Sequence, residues 1–264
     1  MGRRFTHYQM PSNALTWSGV FGANYYDHWR AWDAASLTLT GSLVNSAASL
    51  TGSGRSMVST GGNRPSVITD ATLGLNVFDF DGISEYMQVN ASTALYNFLH
   101  NGSGGCVIAV YRSTALTTAI GRVISNILTG TTDAGFFIQK GSADKEQQLI
   151  ANASAAITLN NNTSLVGTTQ VHSSVSIFDP NNATTLDKTY NIFDGTTNKA
   201  NSLTATPSVA NANRNLIMGV LPNFIQSFFK GQIAEIIILD TVPTPTQLTQ
   251  IQTILSQDYA TFPI

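Results

Sequence analysis

A long apolar strand near the carboxyl end of the chain, Gln232–Leu239, constrains the fold more than any other segment. Gly231 precedes it, and apolar residues occupy both alternating sets of positions, with Glu235 as the one carboxylate among isoleucines. A strand with this pattern is covered on both faces, as in a sandwich core. The sequence therefore predicts that Gln232–Leu239 is a central strand.

A terminal helix follows this strand. Thr244 supplies a capping hydroxyl, Pro245 stands in the first turn and Gln247 lies three residues after the cap. Apolar residues then recur at helical spacing along one side, at Leu248, Ile251, Leu255 and Tyr259. We expect a helix at Pro245–Asp258 that lies on the outside of the sheet.

Short strands separated by glycine, asparagine and aspartate turns fill most of the remaining chain. This spacing is typical of an all-β, two-sheet antiparallel sandwich of the jelly-roll kind. Asp81-Gly82 predicts a hairpin between Val77–Phe80 and Tyr86–Val89. Ser46–Asn63 is rich in glycine and serine, and we interpret it as a loop. We expect one domain at residues 26–264, preceded by an arm at residues 1–25.

Four segments in chain order resemble laminin-G-like, concanavalin A-like lectin and glucanase domains. They are WRAWDA at 29–34, NRPS at 63–66, VFDFDGISEYM at 77–87, and FKGQIAEII at 229–237 with the helix that follows it. The resemblance implies the same jelly-roll sandwich. It implies no activity, because this fold carries lectins, hydrolases and structural modules.

Charged residues are scarce, at 11% of the chain against roughly 25% in a typical soluble domain. A surface made of serine, threonine, asparagine and glutamine is common in secreted binding modules and in packed assemblies. The formal net charge is −2, which does not indicate a basic surface for binding nucleic acid or a membrane. We therefore expect neither as a partner.

The cysteine content bears on disulfide bonds, and the amino-terminal sequence bears on secretion. Cys106 is the single cysteine, so an internal disulfide is excluded, and its setting predicts a small buried residue in a strand. No apolar segment follows Arg3-Arg4, and we expect no secretion signal.

Residues 1–25 carry large aromatic side chains without the period of a strand or a helix. Such an arm has no core of its own and must dock on the sandwich or on a neighbouring subunit. Our candidate residues for an assembly arm are Arg3, Arg4, Phe5, Tyr8, Trp17 and Phe21. We expect that removing residues 1–20 leaves a folded sandwich.

We expect no catalytic residue. Retaining glycoside hydrolysis needs two carboxylates about 5 Å apart, and the related glucanases place them on one strand as E-x-D-x-E or E-x-D-x-x-E. This sequence lacks that pattern, and we interpret its nearest approach, Asp79, Asp81 and Glu85, as a capped turn. Glu235 is interpreted as a buried carboxylate with an arginine partner. The candidate partners are Arg30, Arg122 and Arg214.

No metal or cofactor is expected. The four histidines are far apart and outside any zinc-binding motif, at His7, His28, His100 and His172. Calcium could be held by Asp79, Asp81 and Asp240, but no EF-hand spacing supports such a site.

Trp29 and Trp32 are candidates for a glycan platform, since sugar rings stack on tryptophan faces. They lie at opposite parity on the opening strand. We expect at least one of them to face the core.

Three functions of different classes remain open. The first is a non-enzymatic structural protein of a bacteriophage virion, in capsid decoration or in a tail or fibre. It would be made in the host cytoplasm, form a homo-oligomer or occur in several copies in an assembly, and bind other virion proteins through the arm. This expectation follows from the resemblance, because laminin-G-like domains with these segments are frequent in phage structural proteins.

The second possible function is that of a carbohydrate-binding module or receptor-binding adhesin that contacts a cell-surface glycan. The third is a glycoside hydrolase, which the missing carboxylate array disfavours.

Overall fold

The computed structural model describes residues 14–114, 120–128, 133–141, 145–152, 156–164, 170–199, 208–224 and 226–259. In this part of the chain there are two α-helices, α1 (Trp17–Phe21) and α2 (Pro245–Asp258). The strands, in chain order, are β1 (Tyr25–Arg30), β2 (Leu37–Thr40), β3 (Leu43–Ala48), β4 (Ser56–Val58), β5 (Ser66–Thr69), β6 (Asn76–Asp81), β7 (Met87–Val89), β8 (Gly105–Ser113), β9 (Gly121–Ser125), β10 (Ala134–Lys140), β11 (Lys145–Asn152), β12 (Ala156–Ser164), β13 (His172–Phe178), β14 (Thr189–Phe193), β15 (Thr196–Lys199), β16 (Ile217–Met218) and β17 (Lys230–Leu239).

The strands form two antiparallel layers. The first runs β15–β14–β13–β8–β17, and the far edge of β17 is shared by β1 and β6, with β5 beyond β6. The second runs β2–β3–β4–β7–β16–β9–β10–β11–β12. One pairing, Leu43 with Ser66, joins the two layers at a corner. The predicted antiparallel sandwich is confirmed.

The strand β17 is central, as its sequence pattern predicts. Ile233, Ile236 and Ile238 enter the core between the two layers, while Ile237 and Leu239 face the helices on the outer side of the first layer. The neighbouring strand β8 alternates in the same way. Its Cys106 lies fully buried on the helix side, where burial raises the pKa of the thiol.

The helix α2 begins with the predicted capping box. Gln247 N donates to Thr244 Oγ1 at 3.3 Å, and Thr244 N donates to Gln247 Oε1 at 2.9 Å. Its buried side packs on the outer face of the first layer together with α1, through Ile251, Ile254, Leu255 and Tyr259. No helix in the described ranges is long and apolar enough to span a membrane.

The hairpin predicted across Asp81-Gly82 is wrong. The strand β6 pairs with β5 and β17, whereas β7 pairs with β4 and β16, so the chain passes from one layer to the other between them. The Asp81 carboxylate accepts hydrogen bonds from three following backbone amides, which bends the chain out of the first layer. Gly82 allows this bend, since its φ is +75° and a Cβ there would lie 2.5 Å from the Lys230 Cβ.

The segment Ser46–Asn63, interpreted as a loop, contains the end of β3 and the whole of β4. Ala47 and Met57 are cross-strand partners there and are fully buried in the core. A stretch rich in serine and glycine separates Ala47 from Met57, and β4 has only three residues, so the alternation is too weak to predict these strands.

Candidate functional site

A cleft of about 250 Å³ opens beside α1, the start of β1 and the segment after β3. We call it the β1 cleft. Its lining combines aromatic rings, hydroxyl groups and one guanidinium, and includes Trp17, Ser18, Tyr25, His28, Arg30 and Thr51. The Trp17 indole stands edge-on to the His28 imidazole, with ring centroids 6.4 Å apart.

One strand irregularity brings the polar side chains of the cleft to one face. In β1 the pairing with β17 shifts between Tyr25 and Asp27, so Tyr25 and His28 lie opposite Leu239 and Ile237, which both face the helices. Arg30 follows His28 by two residues and lies opposite Glu235, so regular alternation keeps these two on the same face. Without the bulge in β1, strict alternation would place Tyr25 on the opposite face.

A chain of hydrogen bonds links the cleft to the interior. The Tyr25 hydroxyl is bonded to His28 Nδ1, and His28 Nε2 lies 2.8 Å from Glu235 Oε2. Arg30 Nε donates to the same Glu235 oxygen at 3.1 Å, and Arg30 Nη2 donates to Asp258 Oδ2 at 2.9 Å. Of the three arginines proposed as partners of Glu235, the structure selects Arg30.

The charge states in this chain follow from burial and pairing. Burial raises the pKa of Glu235, but the charge of Arg30 and the hydrogen bond from His28 outweigh it and hold that pKa at about 2. Burial lowers the pKa of His28, although Glu235 opposes the shift. At neutral pH a neutral His28 therefore faces an ionised Glu235. Its Nε2 carries the proton that this carboxylate accepts, which leaves Nδ1 to accept from the Tyr25 hydroxyl.

This arrangement favours holding a ligand over activating a nucleophile. Burial raises the pKa of Tyr25 above its usual range, so the phenol stays protonated. His28 Nδ1 already accepts that proton in a hydrogen bond, while the oxygen of Tyr25 keeps its lone pairs for a donor. Arg30 Nη1 makes no hydrogen bond to any residue in the described ranges, and it is the donor left for a ligand.

The candidate arm residues fall into two groups. Arg3, Arg4, Phe5 and Tyr8 lie outside the described residues. Trp17 and Phe21 are 5% and 4% exposed, stack with ring centroids 6.3 Å apart, and pack with α2. Residues 14–25 thus belong to the sandwich, and the expectation that residues 1–20 are dispensable for folding is not compatible with the burial of Trp17. Attachment to a virion stays a prediction.

The glycan platform proposed at Trp29 and Trp32 is not formed as a pair. Trp29 is fully buried in the core between the layers and has no face for a sugar, so the proposal is wrong for this residue. Trp32 is partly exposed, and the Arg30 guanidinium lies 3.9 Å from the centroid of its ring. A platform role for Trp32 stays a prediction.

The carboxylates considered for hydrolysis occupy a turn. Asp81 accepts from the amides of Ile83, Ser84 and Glu85 at 2.7, 3.0 and 3.3 Å and from the Ser84 hydroxyl at 3.2 Å. Glu85 Oε2 in turn accepts from Asp81 N at 2.7 Å. Both oxygens of Asp81 are thus engaged within its own turn, and Glu235 lies elsewhere, on the helix side of β17.

Two further buried carboxylates are saturated by protein donors. Asp27 accepts from Ser53 Oγ (2.9 Å), Arg55 Nε (2.6 Å) and Tyr96 Oη (2.9 Å). Glu146 accepts from Tyr111 Oη (2.7 Å), Ser174 Oγ (2.6 Å) and Asn191 Nδ2 (2.6 Å). Such groups hold the interior together and leave nothing for a ligand. Among the described residues, no group of three or more histidine, cysteine, aspartate or glutamate side chains is placed to hold a metal ion.

The sequence alone does not predict the cleft as a site. The signal it offers is a tyrosine, a histidine and an arginine within six residues of one strand, β1, which lies opposite Glu235.

No protein-family model and no curated protein matches the sequence. Among solved structures, the Trypanosoma rangeli sialidase in complex with sialic acid is 11% identical, with 92% of this chain and 35% of that chain covered at a TM-score of 0.57. The botulinum neurotoxin type G receptor-binding domain is 12% identical, with 87% and 51% covered at a TM-score of 0.55. The CBM40 of the Ruminococcus gnavus IT-sialidase is 16% identical, with 66% and 97% covered at a TM-score of 0.47.

These identities show the fold alone, and this chain spans about a third of the length of the sialidase. The first two likenesses are consistent with a lectin-type, concanavalin A-like β-sandwich, in agreement with the sequence prediction.

Proposed function

We propose that this chain is a non-enzymatic carbohydrate-binding module that holds one ring of a neutral glycan in the β1 cleft. The observation that carries the proposal is the hydrogen-bond chain Tyr25–His28–Glu235–Arg30. It fixes the protonation of each member and leaves one acceptor and one donor for a ligand.

The size of the cleft limits its occupant. Its volume of about 250 Å³ is below the roughly 300–1,000 Å³ of pockets for drug-sized ligands. A single sugar ring is a suitable size, and the rest of an oligosaccharide would extend into solvent.

The chemistry of the lining suits hydroxyl groups. The Tyr25 oxygen accepts a hydrogen bond, and Arg30 Nη1 donates one. A sugar hydroxyl both donates and accepts, so neighbouring hydroxyls on one ring satisfy both groups. The partly exposed Leu50 gives the cleft apolar surface for the C–H face of the ring, while Trp17, only 5% exposed, adds little to it.

The charges beside the cleft favour a neutral sugar over an acidic one. The Arg30 guanidinium already bonds two carboxylates, Glu235 and Asp258. An acidic sugar would bring a third negative charge to a single positive one, at a cost that is large where the site is shielded from water. The fold is shared with a receptor-binding domain and with a sialidase that was solved with sialic acid. The two carboxylates bonded to Arg30 favour a different ligand for this chain.

An array of printed neutral and sialylated oligosaccharides tests this proposal. We expect the full chain to bind neutral glycans in preference to sialylated ones. Tyr25→Phe removes the acceptor and should weaken binding about 3- to 10-fold, as for the loss of one hydrogen bond. Tyr26→Phe is the matched control, because Tyr26 is the next residue of β1 and its ring packs against Tyr96 and Phe98 instead. Absence of glycan binding, a preference for sialylated glycans, or equal losses in both variants would contradict the proposal.

A further inference from the structure

Tyr86 and Phe224 form an aromatic pair on the surface. Tyr86 stands directly before β7, and Phe224 lies in the turn after β16. Their ring centroids are 4.7 Å apart with the planes inclined at 48°, and Phe224 is 41% exposed. Neither residue lines the β1 cleft.

The backbone under this pair is strained. Phe224 has φ of +60° and Ser227 has φ of +57°, in the left-handed region that bulky residues avoid. A glycine or an asparagine at position 224 would relieve that strain. A large ring kept partly exposed on disfavoured backbone contributes little to folding, and such positions concentrate at ligand sites.

Hydrogen bonds hold both residues in place. Phe224 N donates to Leu221 O at 2.9 Å, and Tyr86 N donates to Asn63 O at 2.9 Å. The turn before Tyr86 is fixed by the Asp81 carboxylate. The aromatic pair is therefore pre-organised, which lowers the entropy cost of binding.

A carboxyl group adjoins the pair in sequence. Glu85 directly precedes Tyr86, and its Oε2 accepts from Asp81 N at 2.7 Å. Its Oε1 makes no hydrogen bond within the described part of the chain and stays available to a hydroxyl group. Burial raises the pKa of Glu85 to about 7, with further contributions from Asp81 and Asp79, so near neutral pH this carboxyl can both donate and accept.

We propose that Tyr86 and Phe224 form a second sugar-binding site, at which the apolar face of a sugar ring stacks on the aromatic pair and a ring hydroxyl bonds Glu85. The assignment of the ligand class rests on the proposed function, while the site itself is argued from separate residues. With the β1 cleft it would give the chain two contact points for glycans.

The extent and the rim of the pair favour a sugar over a protein partner. A stable protein interface takes about 800 Å² from each side, whereas this pair presents two rings, both less than half exposed. Charged residues lie close by in the chain and in the fold, with Asp81 and Glu85 before Tyr86 and Lys230 packed on Gly82. An interface core is depleted of such charges.

Substitutions at Phe224 separate a binding ring from a structural one. Phe224→Gly removes the ring and relieves the strained φ, while Phe224→Ala removes the ring and keeps the strain. Ile83→Ser is the control, because Ile83 is 75% exposed on the neighbouring turn and is not part of the ring pair. Each full-length variant is measured on the array of neutral and sialylated oligosaccharides and by thermal unfolding.

We expect Phe224→Gly and Phe224→Ala each to weaken glycan binding about 10-fold, with Phe224→Gly unfolding at or above the wild-type temperature and Ile83→Ser unchanged in binding. A lower unfolding temperature for Phe224→Gly with unchanged binding would show that the ring is structural and overturn the inference. An equal loss in Ile83→Ser would point to a broader apolar contact and also overturn it.

The two proposals fail in different ways. Loss of binding in Tyr25→Phe without loss in Phe224→Gly refutes the second site alone. The reverse pattern supports the second site and refutes the β1 cleft. A wild-type chain that binds no glycan refutes both.

Discussion

Arg30 Nη2 donates to Asp258 Oδ2 at 2.9 Å, a contact between residues 228 positions apart in the chain. The same guanidinium donates through Nε to Glu235 at 3.1 Å. One side chain of β1 therefore joins the central strand β17 to the last turn of α2. Because Arg30 also lines the β1 cleft, the packing of the terminal helix and the geometry of the cleft depend on one ion-pair network.

The first prediction concerns Glu235 and acid. Its pKa is about 2 in the folded protein against an ordinary value of 4.5, so the folded state favours the ionised form. The resulting stabilisation is full above pH 4.5 and is lost as the pH falls from 4.5 to about 2. The shift corresponds to about 3 kcal/mol. We expect the difference in unfolding free energy between wild type and Glu235→Gln to shrink over this range, measured by urea denaturation.

Other carboxylates also titrate in this range, and comparison with Glu235→Gln isolates the contribution of one group. A difference that stays constant between pH 5 and pH 2.5 would contradict the assigned charge state.

The second prediction has the opposite sign and concerns Asp258. Burial and the charge of Glu235 raise its pKa to about 6 from an ordinary 3.8, although Arg30 opposes the shift. The folded state therefore binds this proton more tightly than the unfolded state, and stability from this group declines as the pH rises from about 4 to about 6. We expect the unfolding free energy of wild type, relative to Asp258→Asn, to fall across that interval. A rise over the same interval would mean that Arg30 dominates.

Local sequence patterns predicted correctly those elements whose conformation is determined by residues close together in the chain. Thr244 and Gln247 form the capping box in the positions that sequence spacing indicated. The isoleucines of β17 indicated burial on both faces without reference to any partner. These signals suffice because a helix cap and a two-sided apolar strand are encoded within a few residues.

The cleft depended on features that a single sequence does not display. Tyr25 and His28 share a face because of a bulge in β1, and Glu235 lies opposite Arg30 because β1 pairs with a strand about 200 residues further along the chain. An alternating pattern read through a bulge assigns every later residue to the wrong face. At Asp81 the predicted capping is confirmed and only the hairpin is wrong, since the side chain caps the following amides and redirects the chain to the other layer.

The third prediction tests the central place of β17. Ile237 is fully buried between its neighbours His28 of β1 and Ile108 of β8. Ile237→Asp places a carboxylate there without a partner, and we expect a loss of roughly 4 kcal/mol or more, or failure to fold. Val209→Asp is the control, because Val209 is 92% exposed and should change stability by less than about 0.5 kcal/mol. Similar urea midpoints for the two variants would place Ile237 outside the core.

The last prediction concerns where the folded domain begins. Trp17 and Phe21 are almost fully buried against α2 and the outer face of the first layer. Burial of side chains of this size contributes about 1.5–3 kcal/mol each, so removing both should cost about 3–6 kcal/mol, a large part of the stability of an ordinary domain. A chain that lacks residues 1–13 keeps every residue of α1 and is the reference for the comparison. A chain that lacks residues 1–21 should unfold at a much lower urea concentration and expose the apolar side of α2, which a hydrophobic dye such as ANS would detect. Equal stability of the two truncated chains would show that α1 is dispensable, and the arm would then extend to residue 25, as its sequence alone suggested.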